Sequence, residues 1–144
     1  MNREYPLFPI PSVAAIILKD NHVLLTVRGK EPHKGMWGIP GGVVKVGETL
    51  VEAVKREVFE ETNIRVEPIE LLTVFDSINQ DNEERIKYHY VLFEYLCNYI
   101  SGEVQAGDDA PDARWIPIDD LSSVPIMSST HKFIERFLSK QEFI

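Results

Sequence analysis

The sequence predicts an α/β fold in which a mixed β-sheet is sandwiched between α-helices. Apolar stretches bounded by turn residues recur along the chain, as expected of strands. Two other segments place their apolar residues at helical spacing. Strands and helices in mixed order favour helices packed on the faces of one sheet. Because the chain has 144 residues and no internal repeat or linker, residues 1–144 are predicted to form a single domain.

The chain begins with a predicted β-hairpin. Residues 12–18 and 23–28 are apolar and β-branched, and the polar residues 19–22 between them suit a turn. Residues 29–42 are rich in glycine and proline, which predicts a long loop, and a short strand is predicted at 43–46.

A helix is predicted over residues 50–62. Thr49 and Glu52 have the spacing of a capping box at its start, and Asn63 tolerates the left-handed conformation common at helix ends. An apolar stripe on this helix is predicted to pack on the sheet: Val51, Val54 and Val58. Ala53 lies on the same face as Glu57, Glu60 and Glu61, where its small side chain would leave room above the three carboxylates.

The second half of the chain predicts a long hairpin, a further strand and a closing helix. Strands are expected at 66–77 and 86–99, joined by a polar tip, and at 113–118 after an acidic loop. Residues 129–140 place their apolar side chains on one face, which predicts an amphipathic helix.

Composition limits the class of partner. With 15 Lys and Arg against 23 Asp and Glu, the net charge is −8, which argues against binding to nucleic acid or to an anionic membrane. A small anionic substrate is compatible with this charge when divalent cations are bound. Cys97 is the only cysteine, so no intrachain disulfide can form. No secretory leader or membrane-spanning segment is recognised, and a cytoplasmic location is expected.

Three carboxylates share one face of the helix at 50–62. At about 100° per residue, Glu57, Glu60 and Glu61 fall within one sector of the helical wheel. Like charges at this spacing repel, so the cluster favours a bound cation. Mg²⁺ prefers carboxylate oxygens and bridges to substrate phosphates, with Mn²⁺ as an alternative. The competing interpretation is a solvated acidic face that pairs with Lys55 or Arg56.

The spacing around these glutamates is more specific than the cluster itself. Gly42, five residues, Glu48, seven residues and then Arg56-Glu57-Val58-Phe59-Glu60-Glu61-Thr62-Asn63-Ile64 follow in order. This run resembles the Nudix box, in which an aliphatic residue follows the first of these three glutamates and a glycine stands where this chain has Asn63. The preceding 37–42 segment also resembles the approach to that box.

The resemblance implies the Nudix fold and a Mg²⁺-dependent hydrolase that cleaves a phosphoanhydride. The implied substrate is a nucleoside diphosphate linked to another moiety, such as ADP-ribose or a similar nucleotide sugar. The resemblance also implies that Glu57, Glu60, Glu61 and the Gly41 carbonyl bind the metal. Arg56 is then expected to orient the carboxylates, for instance through Glu48, which is alternatively a ligand of a second metal.

The general base and the substrate-binding residues are less defined. The base is either a glutamate of the helix or an acid of the later loop: Asp108, Asp109 or Asp112. Arg28 is a candidate phosphate ligand, and a surface ion pair is its alternative role. Trp37 and Phe75 are candidates for stacking on a nucleobase, against the alternative of ordinary packing.

Other functions remain open at this point. Within the enzyme class, the alternatives are a nucleoside triphosphate pyrophosphatase that removes damaged nucleotides and a dinucleoside polyphosphate hydrolase. A non-catalytic nucleotide sensor is the alternative from another class. The expected partner is a small nucleotide, with no nucleic acid and no membrane. The apolar N-terminal arm at 5–11 makes a homodimer an alternative to a monomer.

Overall fold

A computed structural model describes residues 3–107 and 110–142. In these ranges the elements follow as β1 (Ile10–Lys19), β2 (His22–Val27), β3 (Trp37–Gly38), β4 (Gly41–Val43), α1 (Leu50–Thr62), β5 (Arg65–Gln80), β6 (Ile86–Ser101), β7 (Ala113–Pro117), a 3₁₀ segment (Ile118–Ser123) and α2 (Ser128–Glu142). None of the described helices is long and apolar enough to cross a membrane.

The strands form one mixed sheet around β1. The order is β3-β2-β1-β6-β5, with β4 also paired to β1 and β7 to β2. β1 runs parallel to β6, and the other named pairs are antiparallel. Ala14 of β1 is the Cα partner of both Gly41 and Glu94, so β1 connects the short strand β4 to the long β5–β6 hairpin.

The two faces of β1 pack into separate cores. Val13, Ala15 and Ile17 belong to one cluster with Val54 and Val58 of α1. Ile16, on the other face, packs in a second cluster whose helical members are the α2 residues Ile134 and Phe137. Side chains alternate between the faces of a strand, so this division follows from the sequence of β1. The predicted sheet between helices is confirmed.

The caps of α1 are also confirmed. The Glu52 backbone N–H donates to Thr49 Oγ1 at 3.1 Å, and Thr49 Oγ1 donates to Glu52 Oε1 at 3.1 Å. Asn63 has φ 64° and ψ 14°, and its backbone N–H donates to the Phe59 carbonyl at 2.9 Å.

The predictions for residues 29–46 and for one face of α1 were partly wrong. The short strand β3 lies within the loop predicted at 29–42. The strand predicted at 43–46 is found instead at Gly41–Val43, as β4. A Cβ on Gly41 would lie 2.8 Å from Ala14 Cα and would overlap the Val13 carbonyl, so glycine permits this pairing. In α1, Ala53 is buried in the core rather than beside the carboxylates, whereas Val51 is 39% exposed.

Candidate active site

The carboxylate face of α1 lies against β4. The backbone N–H of Gly41 donates to Glu61 Oε1 at 2.9 Å. A Cβ on Gly42 would stand 2.5 and 2.6 Å from the two carboxylate oxygens of Glu57. Glycine is therefore needed at position 42 for the helix to approach the strand this closely.

Arg56 is the centre of an ion-pair network. Its Nε and Nη2 donate to the two oxygens of Glu48, at 2.6 and 2.9 Å. Nη1 donates to Glu57 Oε1 at 2.7 Å and to Glu60 Oε2 at 3.2 Å, and Nη2 also donates to the Val43 carbonyl at 3.0 Å. The predicted Arg56–Glu48 pair is therefore present. The guanidinium fixes two carboxylates of α1 relative to β4 and to the loop before the helix.

The charges in this network shift the titration of its members. The hydrogen bonds from Arg56 hold the pKa of the Glu48 carboxyl at about 2. The hydrogen bond to Glu48 is in turn the largest cause of the raised pKa of Arg56. The side chains of Glu48 and Glu57 are each 14% exposed, whereas that of Glu60 is 36% exposed. Glu60 is thus the most open to solvent of these three carboxylates.

A cavity of about 890 Å³ begins at this network and extends over the sheet. Its α1 side is formed by Arg56 and the three glutamates of the predicted metal site. The long strands β1, β5 and β6 line it with Ser12, Val13, Ala14, Phe75, Asp76, Ser77, Ile78, Asn79, Tyr90, Leu92 and Glu94, and the shorter β2, β3 and β4 with Thr26, Gly38, Gly41, Gly42 and Val43. The start of α2 closes another side with Ser129 and Thr130.

Basic side chains lie around the same cavity. They are Arg3, Arg28, Lys30, His33, Lys45 and Arg56. Arg28, at the end of β2, is exposed, and its Nε donates to the Pro32 carbonyl at 2.7 Å. The other guanidinium nitrogens give Arg28 further donors. Two predicted substrate contacts, Arg28 and Phe75, thus share one cavity with the glutamates.

The third predicted substrate contact, Trp37, lies elsewhere. Trp37 is only 6% exposed and packs in the core against the α2 side of the sheet, so the prediction that it stacks on a base was wrong. Its ring contacts the guanidinium of Arg114, with Cζ 5.6 Å from the ring centroid. Its position in β3 explains this burial, since β3 pairs with the buried strand β2.

The loop acids are only partly described. Asp108 and Asp109 lie outside the described residues. Asp112 accepts a hydrogen bond from the Ala113 backbone N–H at 2.8 Å and pairs with Arg114 at 2.8 Å. Asp112 is not among the residues that line the cavity. Its carboxylate is thus engaged in the turn before β7.

Sequence reasoning missed Glu94 and Tyr90. Both line the cavity, and Glu94 is 7% exposed within β6. The alternation of side chains along β6 could have indicated Glu94, because this charged residue shares a strand face with the apolar Leu92 and Leu96. A charged residue on an inward face is uncommon unless it has a partner or a function.

The carboxylates do not converge on one point. Within the described ranges, no group of three or more His, Cys, Asp or Glu side chains is close enough to hold a metal ion. Glu57 and Glu60 point toward Arg56, and Glu61 toward the Gly41 amide. The arrangement provides hard oxygen donors around a glycine-lined space beside a cavity with basic walls.

Comparison with known proteins supplies the family context. The family model described as NUDIX domain matches residues 9–137. The chain is 38% identical over 134 residues to the ADP-ribose pyrophosphatase of Methanocaldococcus jannaschii, covering 92% of this chain and 75% of that protein. It is 32% identical over 124 residues to the 8-oxo-dGDP phosphatase NUDT18 of Mus musculus, covering 78% of this chain and 36% of that protein.

A solved structure agrees with the fold. The crystal structure of the MutT NUDIX hydrolase from Burkholderia pseudomallei superposes with a TM-score of 0.76 at 34% identity. The superposition covers 89% of this chain and 97% of that one.

Proposed function

The chain belongs to the Nudix family of hydrolases, and from this membership we propose that it cleaves a phosphoanhydride bond in a Mg²⁺-dependent reaction. The proposed substrate is a nucleoside diphosphate linked to another moiety, with ADP-ribose or a similar nucleotide sugar as the first candidate. The observation that carries the proposal is the Arg56 network, which holds the α1 carboxylates at the edge of a cavity with basic walls.

The donor set fits a hard divalent cation. Glu57, Glu60, Glu61 and the Gly41 carbonyl would hold it, through oxygen atoms of the kind that Mg²⁺ prefers. Mg²⁺ sites commonly use one or two carboxylates together with water and substrate phosphates, so three convergent acids are not required. The absence of a side chain at Gly42 leaves room for the Glu57 carboxylate beside the strand. Mn²⁺ is a reasonable substitute, since it also takes oxygen ligands.

The chemistry divides between the cation and the protein. When bound, the cation neutralises charge on the phosphate oxygens and lowers the pKa of water. Arg56 is a positioning residue, because it acts through the carboxylates that it holds. Since hydrogen bonds from Arg56 reach both oxygens of Glu48, a role for Glu48 as charge partner of Arg56 is more consistent with this geometry than a role as ligand of a second metal.

A glutamate of α1 is the proposed general base. Glu60 and Glu61 both line the cavity, and Glu60 is partly open to solvent, as a group that receives a proton from water must be. Asp112 does not line the cavity, and it pairs with Arg114 and accepts from the Ala113 backbone N–H, so a glutamate of α1 is favoured over it for this role. Asp108 and Asp109 remain alternatives that the described residues do not address.

The phosphates of the substrate would lie near the basic residues of the cavity, and its nucleobase would lie near Phe75. Arg28 and Lys45 provide positive charge on the side of the glycine-rich loop, where it offsets the negative charge of a diphosphate. Phe75 is 39% exposed and lines the cavity, so its ring is available for stacking on a planar base.

The sequence identity to two named relatives indicates which candidate substrate should be tested first. The named ADP-ribose pyrophosphatase is 38% identical and covers most of this chain, which favours ADP-ribose. The similarity to an 8-oxo-dGDP phosphatase supports a second candidate, the hydrolysis of damaged nucleoside phosphates. The two candidates share the cleaved bond and differ in what lies on either side of it.

A hydrolysis screen with Mg²⁺ tests the proposal. ADP-ribose, dinucleoside polyphosphates and normal and oxidised nucleoside di- and triphosphates are each incubated with wild type, Glu61→Gln and Glu70→Gln. Glu70 is an exposed residue of β5 outside the cavity. We expect turnover with wild type and Glu70→Gln and at least a hundredfold loss with Glu61→Gln. Full activity of Glu61→Gln contradicts the mechanism. Tight nucleotide binding without turnover by wild type would instead indicate a sensor.

A further inference from the structure

Glu94 carries a buried carboxyl that the proposed chemistry does not use. Its side chain is on β6, and the residue is 7% exposed. Oε2 is fully buried and has no hydrogen-bond donor among the described residues. Burial raises the pKa of this carboxyl to about 7. A buried acceptor without a partner destabilises a fold, so its presence in a cavity wall requires an explanation.

The sheet register places Glu94 between the two ends of the cavity. Gly41 and Glu94 pair with Ala14 from opposite sides, so their Cα atoms are separated by about two strand spacings, or roughly 10 Å. The backbone N–H of Gly41 is hydrogen-bonded to Glu61. This contact marks the end of the cavity where the diphosphate of the substrate is expected. Glu94 is therefore further into the cavity than the proposed phosphate site.

At the other end, a β-bulge brings Phe75 onto the same face as Glu94. Leu71 pairs with Tyr95 and Thr73 pairs with Glu94, so β5 has one extra residue at this point. Side chains alternate along a strand, so the extra residue in β5 shifts all later pairings by one position. As a result Phe75, rather than Val74, lies opposite Leu92 on the cavity face. Phe75 and Glu94 are then diagonal neighbours across two strands, a separation of roughly 7–8 Å between Cα atoms that long side chains bridge.

We propose that Glu94 is a specificity-determining residue whose carboxyl accepts a hydrogen bond from the nucleoside part of the substrate. The donor is an N–H of the base or a hydroxyl of the ribose. This inference rests on the proposed function, because that function assigns a nucleotide to the cavity. A base stacked on Phe75 would present its edge, or the attached sugar, to the diagonal neighbour Glu94.

The surroundings favour a neutral donor over a phosphate as the partner. A carboxyl group repels phosphate when ionised, and the basic residues that would attract phosphate belong to other elements. Ala14 and Leu92, which flank Glu94 on the cavity floor, have no side-chain donor. The hydroxyl of Thr73, the cross-strand partner of Glu94 on β5, makes no hydrogen bond with Oε2. A ligand hydroxyl or N–H would satisfy Oε2 at the moment of binding, which makes the binding selective for ligands that carry this donor.

The experiment uses nucleoside monophosphates, which contain no phosphoanhydride and are therefore not hydrolysed at one. Glu94→Met keeps the length of the side chain and removes both oxygens, whereas Glu94→Gln keeps one acceptor. Glu70→Met is the control on the exposed surface of β5. For each protein, thermal unfolding is followed without ligand, and the affinities for AMP, IMP and 2′-deoxyAMP are measured by titration calorimetry.

We expect Glu94→Met to raise the ligand-free unfolding midpoint by several degrees and to weaken AMP binding at least tenfold. Glu94→Gln should retain part of the affinity, and Glu70→Met should match wild type. A preference for AMP over IMP that disappears in Glu94→Met assigns the donor to the base, whereas a preference for AMP over 2′-deoxyAMP that disappears assigns it to the ribose.

Two results would overturn the inference. AMP affinity of Glu94→Met equal to that of wild type would show that the carboxyl does not contact the nucleoside. A lower ligand-free midpoint would show that it has a structural partner. Hydrolysis of ADP-ribose by wild type, assayed in parallel, separates this inference from the proposed function: Glu94-dependent binding without any turnover contradicts the function alone, and turnover with Glu94-independent binding contradicts the inference alone.

Discussion

The guanidinium of Arg56 holds both carboxylate oxygens of Glu48, at 2.6 and 2.9 Å. This contact joins α1 to the loop that precedes it, eight residues earlier in the chain. The planar fork of an arginine matches the two oxygens of a carboxylate, and the two N–H groups of Nη1 are left for Glu57 and Glu60. One side chain therefore sets the positions of several carboxylates at the candidate active site.

Arg56→Lys is expected to reduce activity more than stability. Lysine keeps the positive charge but lacks the fork, so it cannot hold Glu48 and Glu57 together. We expect kcat to fall by at least tenfold with a smaller change in KM, because Arg28 and Lys45, rather than Arg56, are the proposed contacts of the substrate phosphates. Steady-state kinetics of ADP-ribose hydrolysis measure this split. Lys55→Arg is the control, since Lys55 pairs with Glu67 on the surface. A change confined to KM would contradict the positioning role.

Gly42→Ala is expected to weaken metal binding. The added Cβ would stand 2.5 and 2.6 Å from the oxygens of Glu57, so this carboxylate must move. We expect Mn²⁺ affinity, measured by titration with detection of free Mn²⁺ by electron paramagnetic resonance, to fall about tenfold or more. Gly38→Ala is the control, because its added Cβ meets only the Sδ of Met127, at 3.3 Å, and the Thr130 hydroxyl. Unchanged Mn²⁺ affinity in Gly42→Ala would exclude Glu57 as a ligand.

The helix at the site was predictable because its signals are local. The capping pair Thr49–Glu52 and the left-handed Asn63 act within a few residues of chain, and both are present in the structure. The resemblance carried by the residues from Gly42 to Glu61 likewise implied the Arg56–Glu48 pair, which the structure contains.

The positions of Trp37, Phe75 and Glu94 depend on partners that are distant in sequence. Trp37 is buried because β3 pairs with β2, and Phe75 faces the cavity because a bulge shifts the register of β5. Propensity and periodicity do not contain this information, because a shift of one residue reverses the face of every side chain that follows. The bounds and caps of the helix were thus more predictable from sequence than the lining of the cavity.

Asn63→Ala is expected to destabilise the fold, and Asn63→Gly is not. Asn63 adopts φ 64°, a conformation that costs alanine about 1 kcal/mol relative to glycine. Both variants lose the hydrogen bond from the Asn63 side-chain amide to the Glu103 carbonyl, 3.1 Å in length, and in Asn63→Gly the relief of the left-handed conformation offsets this loss. Denaturation with urea should show a loss of about 1–2 kcal/mol for alanine and under about 0.5 kcal/mol for glycine. Equal stability of the two variants would mean that the end of α1 adjusts its conformation.

Glu48 is expected to make stability depend on pH in the acid range. Its pKa is lowered from 4.5 to about 2, first because Arg56 donates hydrogen bonds to it. A carboxyl whose pKa is lower in the folded state stabilises the protein above the unfolded-state pKa, and this contribution is lost as pH falls through about 2. Glu48→Gln should therefore lower the free energy of unfolding at pH 7 by about 1–2 kcal/mol, after allowance for solvent screening.

The difference in the free energy of unfolding between wild type and Glu48→Gln should shrink as the pH falls from about 4.5 to about 2. In this range Glu48 of unfolded wild type takes up a proton, which stabilises the unfolded state, and the variant has no carboxyl at this position to do so. Urea denaturation in EDTA at a series of pH values from 2 to 7 measures this difference without a contribution from bound cations. Glu70→Gln, on the surface of β5, should run parallel to wild type throughout. The difference in the free energy of unfolding between wild type and Glu48→Gln could instead stay constant down to pH 2. The ionised Glu48–Arg56 pair would then not be the source of the stability that the variant lacks at neutral pH.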